Sequence, residues 1–184
     1  MMHFAKIADG IDVSPVMAQL SAHPELWDVN PLRRAYANSP HREMTDIWVR
    51  ARAPTDQDIA SYSEPHESVF WPAAALLPGL IPIVNDIAAK TKATRLGGIL
   101  ITKIGPGKKI HPHHDRGFWH AEFHDTKVYV CLQGNEKCVT WCDGERVTMK
   151  AGEAWRFQNL VVHGLDNDGD TDRISAIIAL RTIR

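Results

Sequence analysis

The chain has 184 residues, of which 44% are hydrophobic and 23% charged, and its formal net charge is −1. These proportions are typical of a soluble globular domain, and the near-neutral charge gives no reason to expect nucleic acid or an anionic membrane as a partner. No apolar run reaches the roughly 18 residues that span a bilayer. The N-terminus lacks a basic start followed by a long apolar core, so we expect no secretory signal and a cytoplasmic location.

The first half of the chain is predicted to be rich in helix. The stretch "DVSPVMAQLSAHPELW" (12–27) offers Asp12 or Ser14 as a cap, Pro15 in the first turn and apolar residues at helical spacing. A second helix is predicted over "LIPIVNDIAAKTK" (80–92). Between these two helices, "TDIWVRAR" (45–52) alternates apolar and polar residues, which is typical of a strand.

The second half is predicted to consist of short strands separated by turns. Strands at this regular spacing favour an antiparallel sandwich or barrel. We therefore predict a mainly β fold, a double-stranded β-helix (jelly-roll, cupin-like) with an N-terminal helical flank. Residues 1–184 are expected to form a single domain, with a helix-rich flank containing at least one strand (1–94) and a metal-binding jelly-roll core (95–184). The predicted strands are "RLGGILITKI" (95–104), "TKVYVCLQG" (126–134), "KCVTWC" (137–142), "ERVTMK" (145–150), "EAWRFQ" (153–158), "LVVHGL" (160–165) and "RISAIIALRT" (173–182).

The three cysteines, Cys131, Cys138 and Cys142, are expected to be reduced. An odd number without a secretory signal argues against a disulfide framework. Their spacing lacks the paired Cys-x-x-Cys of a structural zinc site. We therefore expect them to pack in the strands as small hydrophobic residues.

The segment "KKIHPHHDRG" (108–117) contains three histidines and an aspartate within five positions. Because alternate residues of an extended segment point the same way, either His111 with His113 or His113 with Asp115 could share a face. His163, in "VVHGLDND", is predicted to end an apolar strand that could approach this segment. Two imidazoles and one carboxylate on one face of iron(II) leave three positions open for oxygen chemistry. The alternative is an accidental cluster, since the chain has ten histidines.

Arg173 and Ser175 share one face of an otherwise apolar strand. A guanidinium directed into a barrel is costly unless an anion pairs with it. A dicarboxylate ligand could supply that anion through a two-point contact, with the Ser175 hydroxyl as a further donor. A salt bridge to Asp170 or Asp172 is the alternative.

In this order, "GKKIHPHHD", "AGEAWRFQN", "HGLDND" and "DRISAIIAL" resemble the aspartyl/asparaginyl β-hydroxylase family of iron(II)- and 2-oxoglutarate-dependent dioxygenases. The resemblance covers about residues 95 to 182 and, more weakly, "REMTDIWVRAR" near residue 43. It implies a double-stranded β-helix, an enzyme that hydroxylates a C–H bond of an amino acid or amino-acid residue, and dioxygen as a further substrate. It implies that His113, Asp115 and His163 are the iron ligands and that Arg173, helped by Ser175, anchors 2-oxoglutarate.

Relatives often have Arg-x-His where this chain has Lys127 and Tyr129. These two residues are candidates for contacting 2-oxoglutarate, although a lysine offers a point charge and not a planar fork. Arg50 and Arg52 lie on one predicted strand face and could meet an anionic substrate, or else form a solvated edge. Trp119 could act as a lid over a small-molecule or peptide substrate. Beyond the metal ligands we expect no catalytic acid or base.

Two other functions remain open from the sequence. The first is a cupin-like metalloenzyme that does not use 2-oxoglutarate, with His111 joining His113 as a ligand and Arg173 in a structural ion pair. The second is a jelly-roll that binds a small molecule without catalysis.

Overall fold

The computed structural model describes residues 3–54, 64–116 and 123–182, and in this part of the chain strands outnumber helices, as predicted. The helices are α1 (Ser14–Ala22), α2 (Leu32–Ala35), α3 (Ala73–Leu76) and α4 (Leu80–Thr91). A short 3₁₀ turn covers Pro24–Leu26. The strands are β1 (Phe4–Ala8), β2 (Thr45–Ala51), β3 (Val69–Phe70), β4 (Ala93–Ile104), β5 (Lys109–His113), β6 (Thr126–Gln133), β7 (Cys138–Cys142), β8 (Glu145–Val147), β9 (Ala154–Phe157), β10 (His163–Asn167) and β11 (Arg173–Thr182).

Two antiparallel sheets form the fold. The larger sheet has the strand order β1-β9-β6-β11-β4-β2-β3, and the smaller has the order β5-β10-β7-β8. From β4 onward the chain moves between them: β4, β6, β9 and β11 lie in the larger sheet, and β5, β7, β8 and β10 in the smaller. This alternation winds two sheets around one interior, so the predicted double-stranded β-helix is confirmed.

The N-terminal segment packs on the outside of the larger sheet. The predicted cap of α1 is wrong, because the N-cap is Val13, which makes no side-chain capping hydrogen bond. Asp12 instead accepts hydrogen bonds from the backbone N–H and the hydroxyl of Ser14 in a turn that leads into the helix. Helix α4 buries Ile83 and Ile87 on one face. These side chains belong to one hydrophobic cluster that also contains Val130 and Ile178 of the jelly-roll strands. The shared core supports the predicted single domain, which stays a prediction together with its internal boundary near residue 95.

Several features differ from the expectation. The short elements α2, α3 and β3 were not predicted. Strand β1 was not predicted either; it pairs with β9 at the edge of the larger sheet. His163 begins β10, so its predicted place at the end of an apolar strand is wrong. The reason is a turn, closed by the Val161 N–H donating to the Gln158 carbonyl at 3.3 Å, which interrupts the apolar run "LVV" before His163. This start places His163 directly opposite His113 of β5.

All three cysteines are free and buried, as predicted. Within residues 3–54, 64–116 and 123–182, no helix combines the length and the apolar character required to cross a membrane.

Candidate metal and co-substrate site

A cavity of about 210 Å³ lies between the two sheets. Its larger-sheet wall is formed by residues of β2, β4, β6, β9 and β11, and its opposite wall by residues of β5, β7 and β10. The described lining includes four arginines and Lys127, but Asp115 is its only carboxylate. Arg33 is ion-paired to Asp46 and Lys127 to Asp115, whereas Arg50 and Arg173 make no ion pair within the described chain. These two cations make the cavity suited to anionic ligands.

His113, Asp115 and His163 come together at this cavity, with one potential ligand atom of each within 4.8 Å of the other two. The Nε2 atoms of His113 and His163 lie 3.6 and 4.0 Å from Oδ1 of Asp115. His163 and Asp115 are only 4% and 7% exposed. Among the described residues no other cluster of His, Cys, Asp and Glu side chains has this arrangement. Of the two pairings left open by the sequence, the structure brings His113 together with Asp115.

The backbone orients both imidazoles. Nδ1 of His113 donates to the His111 carbonyl at 2.8 Å, and Nδ1 of His163 donates to the Val161 carbonyl at 2.9 Å. Since a carbonyl can only accept, Nδ1 carries the proton and the Nε2 lone pair of each ring faces Asp115. Burial and the neighbouring His163 lower the pKa of His113 to about 4, and burial also lowers the pKa of His163. Both rings are therefore neutral at neutral pH, the form that binds a metal.

Asp115 is held through its other oxygen. Oδ2 accepts hydrogen bonds from Nζ of Lys127 at 2.8 Å and from Nδ2 of Asn159 at 2.6 Å, which leaves Oδ1 toward the two histidines. Burial opposes ionisation of Asp115, but the charge of Lys127, the nearby His163 and these hydrogen bonds outweigh it and hold the pKa well below its usual range. The site thus offers two neutral imidazoles and one ionised carboxylate, a donor set that fits iron(II) with open positions.

Asn159 ends the stretch "AGEAWRFQN" that carries part of the family resemblance, but no role was predicted for it. Its side chain binds Oδ2 of Asp115, and its carbonyl accepts the Asp115 N–H at 2.9 Å. Residues that orient a metal ligand typically contribute 10- to 100-fold to metal affinity. We expect Asn159→Ala to weaken Mn(II) binding by about that factor, measured by equilibrium dialysis of the purified protein. The matched control is Asn85→Ala, at an exposed position of α4; equal Mn(II) affinity in the two variants would contradict this role.

Arg173 is 1% exposed and lies at one end of the same cavity. Its Nε donates to the Ser175 hydroxyl at 2.8 Å, and its terminal nitrogens contact the carbonyl and the sulfur of Met149 at 3.2 Å. No ion pair joins it to Asp170, Asp172 or another acid of the described chain. The structural salt bridge left open by the sequence is therefore absent there, and the buried charge lacks the anion that its burial requires.

Lys127 and Tyr129 both line the cavity from β6. The ammonium of Lys127 is bound to Asp115, and the Tyr129 ring packs on Phe157 with the ring centroids 4.6 Å apart. Burial raises the pKa of Tyr129 well above its usual range, so its hydroxyl stays protonated and can donate a hydrogen bond.

Arg50 and Arg52 line the cavity as well, at its end nearest β2 and β3. Arg52 is 3% exposed, so the alternative of a solvated strand edge is wrong for this residue. Trp119 lies outside the described residues, and its predicted role as a lid is untested.

Two further histidines near the triad have different surroundings. His111 binds Glu43 through Nε2 at 2.6 Å and Arg42 through Nδ1 at 3.1 Å, and it is not among the clustered ligand atoms. His41, which sequence reasoning missed, packs edge-on against the His113 ring with the centroids 4.8 Å apart. Its Nε2 accepts a hydrogen bond from Arg33 at 3.3 Å, so it supports the site without being a ligand.

Comparison with known proteins agrees with this geometry. The model of the aspartyl/asparaginyl β-hydroxylase family matches residues 60–182, which is most of the chain. A search of curated proteins found no match.

Two solved structures show a similar fold. The first is a viral collagen prolyl hydroxylase from Paramecium bursaria Chlorella virus 1, solved as a 2-oxoglutarate complex. It has a TM-score of 0.54 at 11% identity, with 99% of this chain and 97% of that chain covered. The second is an oxidoreductase of the 2OG-Fe(II) oxygenase family from Burkholderia pseudomallei, with a TM-score of 0.53 at 11% identity and 75% and 68% of the two chains covered. At this identity the likeness shows the fold alone.

Proposed function

The chain belongs to the aspartyl/asparaginyl β-hydroxylase family, and from this we propose that His113, Asp115 and His163 bind the iron(II) of a 2-oxoglutarate-dependent hydroxylase. The proposed substrate is an amino acid or an amino-acid residue, hydroxylated at a C–H bond. Such an enzyme needs an iron site with open positions and an anchor for 2-oxoglutarate nearby.

One observation carries the proposal: three metal-binding atoms and a buried, unneutralised guanidinium face the same cavity. A zinc enzyme without a co-substrate would have no use for that guanidinium. A cupin-like metalloenzyme with His111 as a ligand is disfavoured by the contacts of His111 with Glu43 and Arg42. A jelly-roll without catalysis would have no need for two neutral imidazoles aimed at one carboxylate oxygen.

Each residue of the site has a separate role in the proposed reaction. When bound, iron(II) supplies the oxidising chemistry, in which dioxygen and 2-oxoglutarate yield succinate, carbon dioxide and a hydroxylated substrate carbon. Arg173 binds the distal carboxylate of 2-oxoglutarate through a two-point contact, and the Ser175 hydroxyl, already bonded to Nε, fixes the plane of the guanidinium. The protonated Tyr129 hydroxyl donates to a 2-oxoglutarate oxygen. Lys127 keeps Asp115 ionised and also presents positive charge to the co-substrate.

Substrate binding is assigned to the other end of the cavity. Arg50 and Arg52 are the proposed substrate contacts, and Trp119 is proposed as a covering residue. A cytoplasmic location and the absence of a nucleic-acid partner stay predictions from the sequence.

The proposed function is tested with the purified protein and anaerobically added iron(II). Conversion of 2-oxoglutarate to succinate is measured after oxygen is admitted, with amino acids and peptides as candidate substrates. We expect succinate release that requires both iron(II) and dioxygen and rises with the correct substrate. Turnover of a substrate with no requirement for 2-oxoglutarate would instead support the cupin-like alternative.

A further inference from the structure

The register of the larger sheet shows that the cavity has two cationic ends. On β11, Arg173 pairs with Ile104, and six residues later Ala179 pairs with Lys127 of β6. At about 3.3 Å per residue, the positions of Arg173 and Ala179 along β11 are roughly 20 Å apart. They define a first and a second level of the cavity. Lys127 reaches Asp115 from the second level, so the metal-binding atoms lie toward the end of the cavity away from Arg173. A co-substrate that extends from the metal to Arg173 leaves this other end for the substrate.

Arg50 is a cation at this second end whose orientation is fixed by the backbone. It pairs with Ile99, which in turn pairs with Ile178 of β11, close to the level of Ala179. Its Nη1 donates to the Leu96 and Gly97 carbonyls at 2.6 and 2.5 Å. Two backbone acceptors therefore set the orientation of the guanidinium before a ligand arrives, which lowers the cost of binding.

Backbone carbonyls do not neutralise the Arg50 charge. Within the described chain Arg50 makes no ion pair, and the nearby acid Glu67 is bound to Arg95 at 2.9 Å. One face of the guanidinium lies over the Phe70 ring, 5.4 Å from its centroid. Arg50 is half-buried and lines the cavity. Its N–H groups that do not bond the Leu96 and Gly97 carbonyls are therefore suited to bind a carboxylate.

The larger-sheet wall between Arg50 and the metal site is mainly apolar. Trp48, Leu100, Ile177 and Ala179 line this region together with Gly98. A Cβ on Gly98 would lie 3.3 Å from the Arg50 carbonyl, so glycine keeps the backbones close and leaves the floor without a side chain. At about 210 Å³ the cavity is smaller than the roughly 300–1,000 Å³ of most ligand pockets, which favours a compact substrate.

We propose that the substrate is a free amino acid with a mainly apolar side chain, and that Arg50 binds its α-carboxylate. This inference rests on the proposed function, because the metal defines where the reacting C–H bond must lie. An internal residue of a peptide has no α-carboxylate, so its backbone amide would leave the Arg50 charge without an anion.

The first test compares free acids with amides in the wild-type enzyme. The twenty protein L-amino acids, their primary amides and tripeptides with the same residue in the middle are assayed for stimulated 2-oxoglutarate consumption. We expect one or a few free apolar amino acids to stimulate turnover, with kcat/KM roughly 10- to 100-fold above that of the amide, the usual value of a charge-assisted hydrogen bond. Equal stimulation by the amide, stimulation by peptides alone, or stimulation by none of the free acids would overturn the proposal.

The second test uses Arg50→Met, which removes the charge and keeps an apolar side chain of similar length. In this variant the preference for acid over amide should fall to about 3-fold or less, because the amide never used the charge. Arg50→Lys, which keeps a point charge, should retain part of the preference and serves if the methionine variant does not fold. The control is Arg146→Ala, at an exposed position of β8, which should keep the full preference.

A separate measurement distinguishes this proposal from the proposed function. Binding of 2-oxoglutarate to the Mn(II)-loaded protein, measured calorimetrically without oxygen, involves Arg173 and the metal but not Arg50. We expect it to be unchanged in Arg50→Met. Normal 2-oxoglutarate binding with an undiminished acid preference in this variant would overturn only the role of Arg50, whereas no 2-oxoglutarate binding in the wild type would overturn the proposed function.

Discussion

His163→Ala is expected to lose metal binding and 2-oxoglutarate turnover while remaining folded. The Nε2 lone pair of His163 faces Oδ1 of Asp115, and alanine leaves only two of the three ligand atoms. Losing a direct ligand should weaken metal binding more than losing a residue that only orients a ligand, which typically lowers metal affinity 10- to 100-fold. We therefore expect Mn(II) affinity to fall by roughly 1,000-fold or more. Turnover should fall with it. The fold should persist because the imidazole makes only a local hydrogen bond, from Nδ1 to the Val161 carbonyl, and ring contacts with His113 and Phe157.

The measurements are equilibrium dialysis with Mn(II), succinate release with iron(II), and thermal unfolding of the metal-free protein. Asp115→Ala should behave in the same way, although it also leaves the Lys127 ammonium without its ion-pair partner. His114→Ala is the matched control, since His114 is adjacent to two of the ligands but exposed. Wild-type turnover in a folded His163→Ala variant would remove His163 from the ligand set.

Arg173→Gln is expected to raise the concentration of 2-oxoglutarate required for half-maximal turnover. Losing one partner of a buried charged pair typically costs 2–5 kcal/mol, which corresponds to a reduction in affinity of about 30-fold or more. Arg173→Lys should recover only part of the loss, because an ammonium cannot make the two-point contact. Mn(II) affinity should be unchanged, since Arg173 is not in contact with the ligand atoms.

A shortened co-substrate separates a direct contact from a structural role. The wild type should discriminate strongly against 2-oxobutyrate, which lacks the distal carboxylate, and Arg173→Gln should lose this discrimination. Arg181→Gln, at an exposed position of the same strand, is the control. If Arg173→Gln keeps the wild-type preference for 2-oxoglutarate over 2-oxobutyrate, then Arg173 does not bind the distal carboxylate.

The sequence could predict that His113 has a nearby partner and that Arg173 is buried, because each depends on local rules. Alternation along an extended segment limits the partner of His113 to His111 or Asp115, and the cost of burying a guanidinium on an apolar strand indicates a ligand. The strand pattern after residue 95 likewise indicated two packed sheets. The family resemblance then ranked the alternatives that these local rules left open.

Other features depend on contacts between distant parts of the chain, so no local pattern predicted their roles. Asn159 reaches Asp115 only because the turn before β10 brings the two segments together, and the same turn moves the start of β10 to His163. Strand β1 exists because β9 offers it an edge, and His41 is near the site because the segment before β2 folds over β5. The pairing of Lys127 with Asp115 also arises from packing of the two sheets, so a sequence could suggest Lys127 as a site residue but not its partner.

The most direct test is a crystal structure of the protein grown without oxygen in the presence of Mn(II) and 2-oxoglutarate, with the metal located by its anomalous scattering. The account predicts one strong anomalous peak bonded to Nε2 of His113, Oδ1 of Asp115 and Nε2 of His163, with 2-oxoglutarate extending from it to Arg173. A metal bound at His111, or 2-oxoglutarate bound away from Arg173, would contradict it.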